Sequence, residues 1–147
     1  MNDGMALAMT FDCADAAAQA RFWASALGYV PAPPPRGWDT WESWLVDHEV
    51  PREEWNDGAS LVDPAGIGPG ISFLKVPEPK TAKNRLHFDL KVSGGRDVDQ
   101  ETRRTRIMAK VDEVVAAGAT IHEEYVVDGH LDHISLLDPE GNEFCVA

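Results

Sequence analysis

The sequence predicts an α+β domain built from two similar halves, and three observations predict it. Short apolar runs bounded by turn residues outnumber helical stretches, so the chain is rich in strands. Each half reads strand, helix, then about three strands. Two local echoes also share an offset. "LVDPAG" at 61–66 returns as "LLDPEG" 75 residues later, and "TFD" at 10–12 returns as "HFD" 77 residues later. Either echo alone is weak, but the common offset and the matching element order together indicate an internal duplication.

In the first half, "MALAMTFDC" from Met5 to Cys13 reads as a strand. Asp15 caps a helix over "AAAQARFWASAL", in which Ala18, Phe22 and Ala26 recur at intervals of four and Gly28 ends the run. "YVPAPPPRG" is extended and proline-rich, and "WDTWESWLVDH" is a short amphipathic helix carrying Trp38, Trp41, Trp44 and Leu45. Pro51 opens a further helical turn in "PREEW". Two strands, "GASLVD" and "GISFLKV", follow around the turn-rich "PAGIGPG". The reading is one domain over 1–147: a first module at 5–76 with a tryptophan-rich insertion at 38–56, a linker at 77–84, and a second module at 85–147.

The second half opens with the strand "RLHFDLKV" and the polar loop "SGGRDVDQ". A helix follows, with Ile107, Val111, Val114 and Val115 on one face and Gly118 at its end. "TIHEEYVV", "HISLLD" and "EFCVA" are the closing strands. The two "DPxG" segments are turns, with Asp and Pro starting the turn and Gly allowing positive φ.

Composition narrows the function. The 147 residues include 44% hydrophobic side chains, enough for one substantial core. A net charge of -12, from 25 acidic against 13 basic residues, repels phosphate backbones and anionic lipid, which disfavours nucleic acid and membranes as partners. Lys75, Lys80, Lys83, Arg85 and Lys91 cluster in sequence, so an anionic small ligand stays open. No apolar run suits a membrane span, and "MNDGMALAMT" lacks the features of a secretion signal, so a cytoplasmic protein is expected. Cys13 and Cys145 show no CxxC spacing and read as reduced strand thiols.

The stretch "RLHFDL" carries the most chemistry. Strand alternation puts Arg85, His87 and Asp89 on one face and Leu86, Phe88, Leu90 and Val92 on the other. The apolar face can pack on a helix, and the polar face then meets water or lines a cavity. Asp89 either pairs with Arg85 or fixes one tautomer of His87.

With "MTFDCADAAAQARFWASALGY" at its start and "LLDPEGNEFCV" at its end, the chain resembles the vicinal oxygen chelate superfamily. That superfamily includes glyoxalase I, extradiol dioxygenases such as dihydroxybiphenyl dioxygenase, and bleomycin and fosfomycin resistance proteins. "EPKTAKNRLHFDL" and "WDTWESWL" are similar to a glyoxalase-like branch whose members mostly lack an assigned reaction. The resemblance implies two βαβββ modules whose sheets curl around a cleft, with helices outside. Arg85, His87 and Asp89 would then face the cleft while Leu86, Phe88 and Leu90 pack under a helix.

Metal-using relatives take a ligand from the first and last strand of each module, because several nitrogen or oxygen donors must converge on one ion and leave exchangeable positions. His87 matches one such position. Ala8, or Thr10 if the echo sets the register, stands at a second, and Cys145 stands where a carboxylate is expected. "GISFLKV" offers no ligand, so no metal cofactor is expected. His122, His130 and His133 read as structural, and Cys145 as an inert buried thiol.

The reading favours a protein that binds a small aromatic or carboxylated molecule in a metal-free cleft. Lys83 and Asn84 would contact an anionic group, and Trp41 and Trp44 would stack on a planar ring or else pack in the core. The alternative is an isomerase- or lyase-type enzyme with His87 as acid or base, Arg85 stabilising an oxyanion and Asp89 orienting His87. A metal-dependent glyoxalase or dioxygenase is disfavoured by the ligand count. A homodimer is open, since related chains often pair.

Overall fold

The computed structural model describes residues 4–147, so the first three residues of the expected domain and of "MNDGMALAMT" lie outside it. The chain forms two compact units. The first runs to Ala24 and resumes over Gly28–Pro79; the second holds Ser25–Leu27 and Lys80–Ala147.

The first unit starts with β1 (Ala8–Cys13), shorter at its start than predicted. Helix α1 (Ala16–Leu27) follows. Asp15 caps it by accepting from the Ala18 amide at 3.0 Å. Gly28, at φ 70°, closes it in the left-handed conformation that a side chain would disfavour. The helix buries Ala16, Gln19, Phe22, Trp23 and Ala26, so Phe22 and Ala26 of the predicted row face inward while Ala18 is only partly covered. Trp23 joins them through ring contacts: Phe11 of β1 lies 5.4 Å from Trp23, and Trp23 lies 5.2 Å from Phe22. The indole adds the largest apolar area on this face.

A two-residue strand, β2 (Val30–Pro31), opens the proline-rich passage. Helix α2 (Trp41–Asp47) begins three residues later than the predicted run, because Thr40 and Ser43 form a reciprocal capping box there. The helical turn expected in "PREEW" is a 3-10 turn at Arg52–Glu54, with Pro51 at its N-terminal cap position. Strands β3 (Gly58–Val62) and β4 (Gly70–Lys75) complete a sheet ordered β1-β4-β3-β2, with β1 parallel to β4 and the other pairs antiparallel.

The second unit repeats this order as β5-β8-β7-β6. Strand β5 (Phe88–Leu90) is shorter than "RLHFDLKV" suggested, and Leu86 is 71% exposed instead of packed under a helix. The reason is local: Asn84 spends its amide on the Leu86 carbonyl and on the Glu143 amide, which holds residues 84–86 in a bend. Helix α3 (Gln100–Ala116), capped by Asp99, buries Ile107, Val111 and Val114 as expected. Val115 is exposed, and Arg103 takes its place on the buried face. Strands β6 (Thr120–Val127), β7 (His130–Leu137) and β8 (Glu143–Val146) form an antiparallel run, and β5 joins β8 in parallel. The architecture is therefore α+β, with two open four-stranded mixed sheets of identical strand order. Among the described residues no helix is long and apolar enough to cross a membrane.

Candidate functional site

The first unit carries a cavity of about 700 Å³. Three indoles line it: Trp41 and Trp44 of α2, and Trp55 after the 3-10 turn. Helix α2 buries none of its residues, so the packing role considered for its tryptophans does not hold. Trp41 and Trp44, three apart, meet edge to face at 5.8 Å, and His48 stacks on Trp44 at 4.1 Å. Two of the three rings are held by their nitrogens. Trp41 Nε1 donates to the Ala32 carbonyl at 2.8 Å, and Trp55 Nε1 donates to the Val50 carbonyl at 3.1 Å. Trp38, in contrast, donates to Asp47 and is absent from the lining.

Three hydroxyl residues share that lining: Thr10, Ser60 and Ser72. Strand register makes them one row, since Ser72 of β4 is opposite Thr10 of β1 on one side and Ser60 of β3 on the other. The Ser60 and Ser72 oxygens are 3.1 Å apart. Sequence reasoning missed this row and Trp55. The available signal was a serine at the middle of each apolar strand, "ASL" and "ISF".

The second unit brings together His87, Asp89 and Cys145, whose ligand-type atoms all lie within 4.8 Å of one another. His87 Nδ1 is 3.6 Å from Asp89 Oδ1, too long for a hydrogen bond. Of the two partners considered for Asp89, His87 is therefore the one at hand. Arg85 sits exposed in the bend before β5, off the strand face on which it was expected. Asp89 is paired with Cys145 in the β5–β8 register. Burial first, and then the Asp89 carboxylate, push the Cys145 thiol above its ordinary pKa. The row continues through Ser135 of β7 to Glu123 of β6. Tyr125 donates to Glu123 at 2.9 Å, a bond that raises the phenol's pKa.

Lys83 is committed to Glu143, at 2.6 Å, and this contact holds the carboxyl below its usual range. Asn84 is committed to the bend already described. His133 donates to Asp132 at 2.9 Å and stacks on Tyr125 at 4.3 Å, in keeping with a structural reading.

The His87 cluster holds three donor groups where the sequence count found two, because Asp89 joins them. It still does not fit a hard divalent ion. One donor is a thiol held protonated, and the other two side chains are about half exposed and can keep their hydration.

Residues 8–147 match the glyoxalase-like domain. No curated protein matches the chain in sequence. Solved structures resemble it over nearly their whole length. A glyoxalase/bleomycin resistance protein/dioxygenase family enzyme from Burkholderia phytofirmans PsJN has a TM-score of 0.60 at 17% identity, covering 97% of each chain. The fosfomycin resistance protein FosX from Mesorhizobium loti has a TM-score of 0.59 at 12% identity, covering 99% of this chain and 92% of that one. FosX from Listeria monocytogenes, complexed with Mn(II) and 1S,2S-dihydroxypropylphosphonic acid, has a TM-score of 0.60 at 11% identity, covering 99% and 90%. Identities this low establish the fold alone. With the same strand order in both units and a domain match over all but the first seven residues, the chain belongs to the glyoxalase-like domain family.

Proposed function

We propose that the protein binds a small aromatic molecule in the cavity of its first unit, and that recognition there uses no metal. One observation carries the reading: Trp41, Trp44 and Trp55 line a single cavity of a size that suits a small organic ligand. Fixed indoles lose little entropy when a planar ring stacks on them, which favours aromatic over aliphatic ligands. The lining contains Glu54 but no histidine, cysteine or aspartate, so it offers no ligand set for an ion.

A fragment screen by saturation-transfer NMR tests this, using planar aromatic and aliphatic compounds of equal size. Aromatic hits should disappear in Trp44→Ala and in Gly58→Leu. Gly58 lines the cavity, and a Cβ there would meet only the Phe73 carbonyl at an ordinary 3.8 Å, so a larger side chain can start from this position and occupy the cavity. Hits indifferent to both substitutions would refute the reading.

The His87–Asp89 pair supports a second reading, in which His87 moves a proton beside a carbonyl of a bound substrate, with Asp89 3.6 Å from its ring. Deuterium exchange into an identified ligand, followed by NMR, tests it. Exchange that persists in His87→Ala would remove His87 from that role.

A further inference from the structure

We infer that the ligand of the first-unit cavity is a neutral aromatic molecule bearing a hydroxyl or carbonyl group, read by the row Thr10–Ser72–Ser60, and not an aromatic carboxylate. The inference rests on the aromatic-binding reading above and narrows it. Two features of the lining carry it.

The first is what the indoles cannot do. Trp41 and Trp55 have already given their N–H groups to the backbone carbonyls of Ala32 and Val50. An indole has a single donor and no acceptor, so these rings offer a ligand only apolar surface. Of the three indoles only Trp44 keeps its N–H for a ligand, so the rest of any polar recognition has to come from elsewhere in the lining.

The second is what remains. Thr10, Ser72 and Ser60 lie side by side on neighbouring strands β1, β4 and β3, and all three line the cavity. Each hydroxyl both donates and accepts, and the Ser60–Ser72 contact at 3.1 Å uses one donor for two oxygens. Two further hydroxyl protons and several lone pairs stay available. A row that gives and takes hydrogen bonds suits a group that does the same, such as a phenol, or a carbonyl that accepts.

A carboxylate is served poorly by this row. It would take both remaining protons and still need net positive charge nearby to offset its lost hydration. The charged residues in the lining are Arg21 and Glu54, of opposite sign and both exposed, so they add no net positive charge. The chain as a whole carries -12, which further disfavours an anion.

Isothermal titration with two probes of one ring system tests the inference: 2-naphthol, which is neutral, and 2-naphthoate, which is charged. The proteins are wild type, Trp44→Ala, Thr10→Val, and the double variant Ser60→Ala with Ser72→Ala. The double variant removes both members of a bonded pair, so neither is left unsatisfied, and a thermal melt checks that each variant folds. The expected result is that 2-naphthol binds at least tenfold tighter than 2-naphthoate. The double variant should weaken 2-naphthol roughly fivefold to tenfold, with little change for 2-naphthoate. Equal or tighter binding of 2-naphthoate, or a 2-naphthol affinity unchanged by both hydroxyl substitutions, overturns the inference while leaving aromatic binding intact. Failure of both probes to bind, or binding that survives Trp44→Ala, overturns the aromatic reading itself and the inference with it.

Discussion

Asp89 and Cys145 sit opposite each other across β5 and β8, and burial together with this carboxylate pushes the thiol above its ordinary pKa. Burial acts in the same direction and is the larger cause. Cys145 should therefore alkylate slowly with iodoacetamide near neutral pH, and Cys13, buried, should contribute almost nothing. Asp89→Asn removes a negative charge, lowers the thiol pKa and raises the thiolate fraction. The gain in thiolate outweighs the accompanying fall in intrinsic nucleophilicity, so the rate should rise by roughly a few-fold. An unchanged or slower rate would mean that the Asp89 charge does not act on the sulfur.

The same pair decides how the second unit treats metal ions. A thiol must lose its proton to ligate, and here Asp89 and burial both oppose that loss. Titration with Co(II) at pH 7 should give no thiolate charge-transfer absorption, and dialysis should remove the ion. A stoichiometric cobalt complex lost in both His87→Ala and Cys145→Ser would show that the three donors do form a site.

Acid should unfold the protein through carboxylates that cap and turn the chain. Asp63 accepts from the amides of Ala65, Ile67 and Gly68 at 2.9, 3.1 and 2.8 Å, and its pKa is lowered, chiefly by the Gly68 amide. Asp15 and Asp99 are lowered by the helix amides they cap, Ala18 and Thr102. Each folded-state pKa lies below its unfolded value, so the stabilisation is complete above the unfolded value, about 4. It is lost as pH falls through the depressed folded values. The urea midpoint should hold from pH 7 to about 5 and then decline. Asp63→Asn should be less stable at pH 6 and decline less steeply. An equal slope in the variant would exclude Asp63 from the acid transition.

Much of the fold was legible because its signals are local. Asp15 and Gly28 bound α1 as predicted, and each unit's strand order follows from an element sequence that repeats. The candidate site was only half legible, for reasons of tertiary structure. Alternation placed His87 and Asp89 correctly but extended the strand to Arg85, since nothing in the sequence shows Asn84 bonding across to the Glu143 amide. Nor does spacing reveal that Thr10, Ser72 and Ser60 adjoin, because that depends on the register of three strands separated by loops of unpredictable length. Trp23 was passed over for a similar reason. The predicted row of α1 counts intervals of four and includes the buried Phe22 and Ala26, but such intervals do not reach Trp23, whose ring meets Phe11.

That distinction between tryptophans has a measurable consequence. Trp23 is 1% exposed and packs on Phe11 and Phe22, so Trp23→Ala leaves a large cavity in the first unit's core. The expected loss is about 3–5 kcal/mol in urea unfolding. Trp41 is 40% exposed and stands on a helix with no buried residue, held by one bond to the Ala32 carbonyl. Trp41→Ala should cost about 1 kcal/mol, the value of a hydrogen bond and some partly covered ring surface. It should also weaken 2-naphthol binding, which Trp23→Ala would affect only through unfolding. If Trp41→Ala proved as destabilising as Trp23→Ala, the α2 indoles would be part of the core after all, and an aromatic ligand would have no ring free to stack on.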